Sequence, residues 1–438
     1  MKIALVAMSG VRVKSAELRA LGVTLPGFVE RGQVIASMPS LALLTLAAVT
    51  PPGHDVSYHE VRDLGDGVPS GYDLVAISTY TAQADEAYAL ADRLRAEGTR
   101  VVLGGLHVTQ VPGEALAHAD AVVIGEAERL WPRVVRDADR SRLERTYREG
   151  VPGLYDLRTA PVPRFDLLDP ERYNRITVQT HRGCPHDCEF CGSSKLYARG
   201  FRQKRVEQVM REIDSIEAVA PRPFIELADD NTFADRAWSK EFLRRMADRG
   251  VRWFTESDVS IADDDELLDL LGRSSCRQVL IGLESPDAAG LDGIDARNWK
   301  WRRHDRAMAA VEAVQSRGVS VNGCFIVGLD AHGPEIFESV RDFVRASGLA
   351  DVQVTVPTPL PGTRLHARLR AEGRLLKEAD WASCTLFDVG FVPKRMSVAE
   401  LEAGLRFLFR ELYSPEAVAE RRRAFLAQAR RGLAGAAN

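Results

Sequence analysis

His181-Arg182-Gly183-Cys184-Pro185-His186-Asp187-Cys188-Glu189-Phe190-Cys191-Gly192 is the stretch on which the reading of this 438-residue chain turns. Its cysteines stand in the spacing C-x-x-x-C-x-x-C, directly after the alternating, β-prone run Arg175-Ile176-Thr177-Val178-Gln179, which puts the thiols on a loop leaving a strand. Three soft ligands on one short loop suit an iron–sulfur cluster. A cubane needs four ligands and no fourth cysteine is nearby, so one iron would stay open for a small molecule. The competing reading is zinc, which normally takes four closed ligands, often as two separated pairs. A disulfide is weaker still, because three clustered cysteines cannot all pair among themselves.

With Phe190 just before the last cysteine, this motif resembles that of the radical S-adenosylmethionine (SAM) superfamily. The resemblance implies a 4Fe-4S cluster on Cys184, Cys188 and Cys191, whose open iron chelates the amino and carboxylate groups of SAM, with Phe190 beside that site. It also implies an electron donor such as flavodoxin or ferredoxin, reductive cleavage of SAM, and a 5'-deoxyadenosyl radical that abstracts hydrogen.

A chain of this length is too long for one ordinary core and suits two domains plus an appendage. A formal net charge of -4 gives no global case for nucleic acid, and the basic positions around Arg199, Lys204 and Arg205 and at Arg421-Arg422-Arg423 read as solvated helix faces. No apolar run is long enough to span a bilayer, and the opening Met1 to Ala7 is too short for a signal peptide, so a cytosolic location is expected. Cys276, Cys324 and Cys384 are isolated in apolar contexts and read as buried thiols.

Before the motif, strand and helix signals alternate. Strands are expected at Ile3 to Ala7, Val56 to Glu60, Leu74 to Ser78, Val101 to Leu103 and Ala121 to Ile124, with helices at Leu41 to Val49 and Ala84 to Glu97. That order means a doubly wound parallel sheet, which binds ligands beyond the carboxyl ends of its strands. Ser78-Thr79-Tyr80-Thr81, Gly104-Gly105-Leu106-His107 and Gly125-Glu126-Ala127-Glu128 stand there, although glycine after a strand is often only a turn. Their order resembles the cobalamin-binding domain of one large radical SAM subfamily. The resemblance marks Ser78, Thr79, Thr81, Gly104, Gly105, His107, Gly125 and Glu126 as cobalamin contacts. The chain lacks the D-x-H-x-x-G motif that supplies a histidine to cobalt in many such domains, and Ala7-Met8-Ser9-Gly10-Val11-Arg12 offers none. Cobalamin without a histidine ligand is therefore expected, and a Rossmann-like module without cofactor is the competing reading.

Pro152-Gly153-Leu154 and Ala160-Pro161-Val162-Pro163 mark a linker, since prolines remove amide donors. Beyond it, strands are expected from Ile176, at Phe224 to Leu227, Trp253 to Glu256, Gln278 to Leu283, Val321 to Val327 and Val352 to Val356. They fit the partial (βα)6 barrel that the resemblance implies, with chemistry at the carboxyl ends of the strands. Around that cavity the family pattern marks Asp229, Asp230, Asn231, Glu256, Glu284, Ser285 and Gly328 as SAM contacts, while Asp229 to Asn231 equally suit a helix N-cap. Past Leu369, the apolar stripe Leu401, Leu405, Leu408, Phe409 and Leu412 suits a helical cap over the barrel, and the Arg/Ala-rich tail a frayed helix.

The expected architecture is thus α/β: a Rossmann-like cobalamin domain over 1–137, a linker over 138–172, a TIM-type partial barrel over 173–369 and a mainly helical cap over 370–438. A radical generator beside cobalamin implies methylation of an unactivated carbon, on a small-molecule or lipid intermediate. Radical cyclisation, rearrangement or other group transfer stays open beside it, as does, more distantly, a cobalamin-binding regulatory module.

Overall fold

Two parallel sheets, each wrapped in helices, make up the protein. This computed structural model describes residues 1–22, 38–65, 70–150, 155–192 and 200–436. The part of the expected linker at Pro152-Gly153-Leu154 and basic Arg199 lie outside those residues.

The first sheet contains β1 (Lys2–Met8), β2 (Asp55–Val61), β3 (Leu74–Ser78), β4 (Arg100–Gly104), β5 (Ala121–Ile124) and β6 (Thr146–Arg148). Its order is β2-β1-β3-β4-β5-β6, and every pairing is parallel. Strands such as Leu74-Val75-Ala76-Ile77 are apolar throughout because helices cover both faces. β6 falls in the stretch expected to be a linker. It buries Tyr147, whose hydroxyl donates to Asp137 (3.0 Å), and three residues are too few for alternation to show in the sequence.

The second sheet runs β7 (Ile176–Val178), β10 (Phe224–Leu227), β11 (Arg252–Ser257), β12 (Cys276–Glu284), β13 (Ser320–Ile326) and β14 (Asp351–Thr355), all parallel and in chain order. Between β7 and β10 a two-residue ribbon intervenes, β8 (His181–Arg182) antiparallel to β9 (Arg202–Gln203). Ile225, Trp253, Val279, Ile281, Val321 and Val352 face the surrounding helices and form one core with them. The alternate residues face inward, across the barrel.

The C-terminal segment does more than cap the barrel. The helix Val398–Tyr413 is started by a Ser397/Glu400 capping box and buries Leu401, Leu405, Leu408, Phe409 and Leu412 in the barrel's core. Trp381 instead enters the core of the first sheet, where its indole N–H donates to Glu114 (3.0 Å). The expected frayed tail is helical from Pro415 to Ala436.

Candidate functional site

The cysteine loop is fastened from two sides. Gly183 makes the turn into it with φ +93°, a left-handed conformation that costs glycine little. On one side Asp229, buried at the end of β10, accepts from Thr180 N–H (2.7 Å), Thr180 Oγ1 (2.6 Å), His181 N–H (3.2 Å) and Thr232 Oγ1 (3.1 Å). Burial by itself would raise its pKa, but the facing His181 charge and these donors hold it below the usual carboxylate range. Asp230 accepts from Gly183 N–H (3.2 Å), and Asn231 Nδ2 donates to Asp258 (2.6 Å), which also lies 2.7 Å from His186 Nε2 inside the loop.

On the other side the segment after β12 pairs with the loop. Glu189 N–H donates to Ile294 O (2.8 Å), Ala296 N–H to Asp187 O (3.2 Å), and Trp299 packs its ring 4.2 Å from that of His186. Arg368 forks onto Glu189 (2.7 and 3.0 Å), tying the barrel's last helix to the loop.

The donor set fits a soft-metal cluster. Burial above all pushes the Cys184 thiol up to about 11 and that of Cys188 up to about 12. Unligated, these groups stay protonated; metal would supply the positive charge that lets them ionise. Among the described residues no three His, Cys, Asp or Glu side chains converge as ligands of one ion would. In a 4Fe-4S cluster each thiolate holds a different iron.

Two cavities adjoin the loop. The larger, about 450 Å³, lies between the carboxyl ends of β1, β3, β4 and β5 and the barrel residues Thr177, Gln179, Gly183 and Asp230. Ser78, Thr79, Gly104, Gly105, Gly125 and Glu126 line it, as does the apolar helix Leu41–Val49. Gly105 has φ +103°, and a Cβ there would stand 3.0 Å from Thr79 O. Thr81 and His107 do not line this cavity: Thr81 is buried in a short 3-10 turn, and His107 is wholly buried between Tyr88 and Trp381. No histidine is among the described lining residues.

Glu126, besides lining the cavity, is an ion-pair partner. Both its oxygens are engaged, with Arg182 Nη1 (2.6 Å), Arg202 Nη1 (3.0 Å) and Tyr155 N–H (3.1 Å). Arg182 also reaches Glu128, so the residue two before the first cysteine locks the cofactor-side loop to the cysteine loop. Motif reading missed Arg182 and also Tyr80, which lines the large cavity half exposed. An arginine beside a family motif carries no signal until its carboxylate partners are known.

The smaller cavity, about 350 Å³, brings together Phe190, Gly328, Leu329, Asp330 and Pro357. Gly328 has φ +96°, and Leu401 comes so close that a Cβ would stand 2.7 Å from it. Glu284, at φ +63°, holds a strained left-handed backbone for a non-glycine residue and pairs with buried Lys300 (2.7 Å). Burial would lower the lysine's pKa, but the Glu284 charge outweighs it and keeps the amine protonated. Ser285 is buried against His332 Nε2 (3.1 Å). Glu256 stands inward between Glu226 and Glu284.

Comparison with known proteins agrees with this geometry. Residues 178–344 match the radical SAM superfamily, 34–135 the B12 binding domain, and 363–436 a domain of unknown function, DUF4070. The chain is 29% identical to bacteriochlorophyllide d C-12(1)-methyltransferase of Chlorobaculum tepidum over 90% of this chain and 86% of that one. It is 26% identical to the hopanoid C-2 methylase of Rhodopseudomonas palustris, over 79% and 67%. The radical SAM methyltransferase TsrM from Kitasatospora setae, solved with cobalamin and a [4Fe-4S] cluster, shares the fold with a TM-score of 0.65 at 16% identity, over 92% and 84%. With a cysteine loop at the carboxyl end of the second sheet and a B12-type sheet facing it, the chain carries a radical SAM superfamily module over 178–344 and a B12 binding domain over 34–135, and is homologous to methyltransferases.

Proposed function

We propose that this protein is a cobalamin-dependent radical SAM methyltransferase acting on an unactivated carbon of a small-molecule or lipid intermediate. One observation carries the reading: the 450 Å³ cavity is bounded both by the glycine-bearing strand ends of the first sheet and by Gly183 and Asp230 at the cysteine loop. Cofactor and cysteine loop thus share one space, as a reaction using both requires. The methyltransferase relatives support the same choice.

Cys184, Cys188 and Cys191 would hold the cluster. Ser78, Thr79, Gly104, Gly105 and Gly125 would hold cobalamin, with the helix Leu41–Val49 keeping water from it. Phe190 and Gly328 would meet the adenosine of SAM. The Glu284–Lys300 pair and Asp230 present both signs of charge, as the zwitterionic methionine end requires. Asp229, Asn231 and Ser285 are engaged in holding loops and act one step back. When bound, the cluster with SAM supplies hydrogen-abstracting chemistry and cobalamin supplies the methyl group. An electron donor of the flavodoxin or ferredoxin class completes this reading, with the cofactor domain taken as 1–137 joined by 138–172 to a barrel over 173–369 and a cap over 370–438.

The test is anaerobic reconstitution with iron, sulfide and hydroxocobalamin, followed by desalting and metal counting on one sample. About four irons per chain with stoichiometric cobalt, and methyl transfer from labelled SAM, are the expected results. Iron without cobalt would overturn the methyltransferase reading and point to rearrangement or cyclisation with SAM alone. Cys184→Ala, Cys188→Ala and Cys191→Ala should each abolish iron loading and SAM cleavage.

A further inference from the structure

The inward face of the second sheet holds polar groups that the site above does not use. Gln278, Asn322 and Gln353 lie on β12, β13 and β14, with side chains alternating away from the helix-facing Val279, Val321, Val352 and Val354. In the register Leu280 sits beside Asn322 and Cys324 beside Gln353, so the three carboxamides climb diagonally across three neighbouring strands. All three residues are at least nine-tenths buried. Their carbonyl oxygens Gln278 Oε1, Asn322 Oδ1 and Gln353 Oε1 meet no donor among the described residues.

A buried acceptor left unpaired costs about 1–3 kcal/mol. Leucine or valine at these positions would avoid that cost, as the helix-facing positions of the same strands do. A diagonal of three such groups is therefore a surface made to meet something polar.

Beside it stands a carboxyl group with no cation. On successive strands, Glu226 pairs with Arg175 and Glu284 with Lys300, while the Glu256 carboxyl between them meets no cation and no hydrogen-bond donor among the described residues. Burial, then the charges of Glu226, Asp230, Asp229 and Glu284, push its pKa up to about 8. It is a half-buried acid short of one positive charge.

We propose that this face takes the polar head of the molecule to be methylated, with Gln278, Asn322 and Gln353 matching its amide or hydroxyl groups and Glu256 receiving a basic nitrogen. The proposal rests on the methyltransferase reading and names its substrate class: a small amine-bearing, hydrogen-bonding molecule. A hydrocarbon head would leave all four groups unmatched. Because Glu256 is protonated near neutral pH, an ammonium seated beside it displaces that proton to solvent.

The test is calorimetric binding to the cofactor-loaded full-length chain, using aminohexanamide, hexanamide and hexanol as probes. The expected order is aminohexanamide tightest and hexanol weakest, each step about tenfold, with the amine-bearing probe alone releasing a proton in buffers of different ionisation enthalpy. Glu256→Gln should bring aminohexanamide to the level of hexanamide. Asn322→Leu with Gln353→Leu should bring both amides to the level of hexanol while leaving thermal stability equal or higher, since unpaired polar groups are removed. Tighter binding of hexanol, or amide binding unmoved by these variants, overturns the proposal. So does a fall in stability of the leucine variant, which would mean that ordered water, not a ligand, satisfies the carboxamides. Iron and cobalt are counted on the same samples: loss of loading counts against the methyltransferase reading, and full loading without preference for the polar probes overturns this inference alone.

Discussion

At Gly105 two separate demands exclude a side chain. The backbone is left-handed, and a Cβ would stand 3.0 Å from Thr79 O and 3.1 Å from Ser78 Oγ; at Gly98, with φ +85°, nothing lies within 4 Å. Gly98→Ala should therefore cost about 1 kcal/mol from conformation only, and Gly105→Ala about 1–3 kcal/mol more, in urea-unfolding midpoints. Equal midpoints would show that the strand end yields, and with it the argument for a fixed cofactor cradle. His332 offers a second residue-scale prediction. Burial lowers its pKa to about 4, against the opposing charges of Asp287 and Glu335. The unfolded chain takes up that proton below its ordinary value of 6.5 while the folded chain does not, so stability falls as pH drops from 6.5 towards 4. The loss should reach about 3 kcal/mol, and His332→Gln should flatten that part of the stability profile.

Among the elements, the end of β10 bears most on chemistry because it holds a loop it does not belong to. Asp229 offers two oxygens to four donors, and the Thr180 and His181 backbone N–H groups lose this acceptor if it is removed. Asp229→Ala is expected to cost about 3–5 kcal/mol, since it also removes the carboxylate that faces buried His181. Its signature should be a lowered melting temperature together with reduced iron per chain after reconstitution. A variant that melts early yet loads iron fully would separate the carboxylate from the loop's geometry. The same Asp-Asp-Asn run was legible as important in the sequence, but its role was not. A carboxylate after a strand suits a ligand ammonium and a backbone N–H equally well, and only the position of Thr180 and His181 chooses.

For the whole molecule, the question is how two sheets face one cavity. Arg182 bridges Glu126 and Glu128 of the first to the cysteine loop of the second, and Trp381 carries the C-terminal segment back into the first core. Arg182→Leu leaves buried Glu128 without its cation and Glu126 with Arg202 alone, and should cost about 3–5 kcal/mol. Calorimetry should then resolve two unfolding transitions where the parent shows one, because the tie between the sheets is cut. A single, merely lower transition would assign the coupling to the Arg202–Glu126 pair and the Trp381 contact instead. Among the described residues, no helix is long and apolar enough to cross a membrane.

Much of this was fixed locally and so could be read from the chain. Cysteine spacing, glycines after apolar strands and the alternation of strand with helix are short-range patterns, and they suffice for two parallel sheets and a thiol loop. What lies between elements far apart in sequence could not be read. β6 hid in a proline-marked stretch because three residues show no period, and His107 turned away from the cavity because Trp381, 274 positions further along the chain, packs against it. Glu126 became an ion-pair partner because Arg182 arrives from another sheet. Local sequence determines what a backbone segment will form, whereas the pairing of buried charges and the choice of facing side chains are set by tertiary contact, where desolvation makes each partner matter.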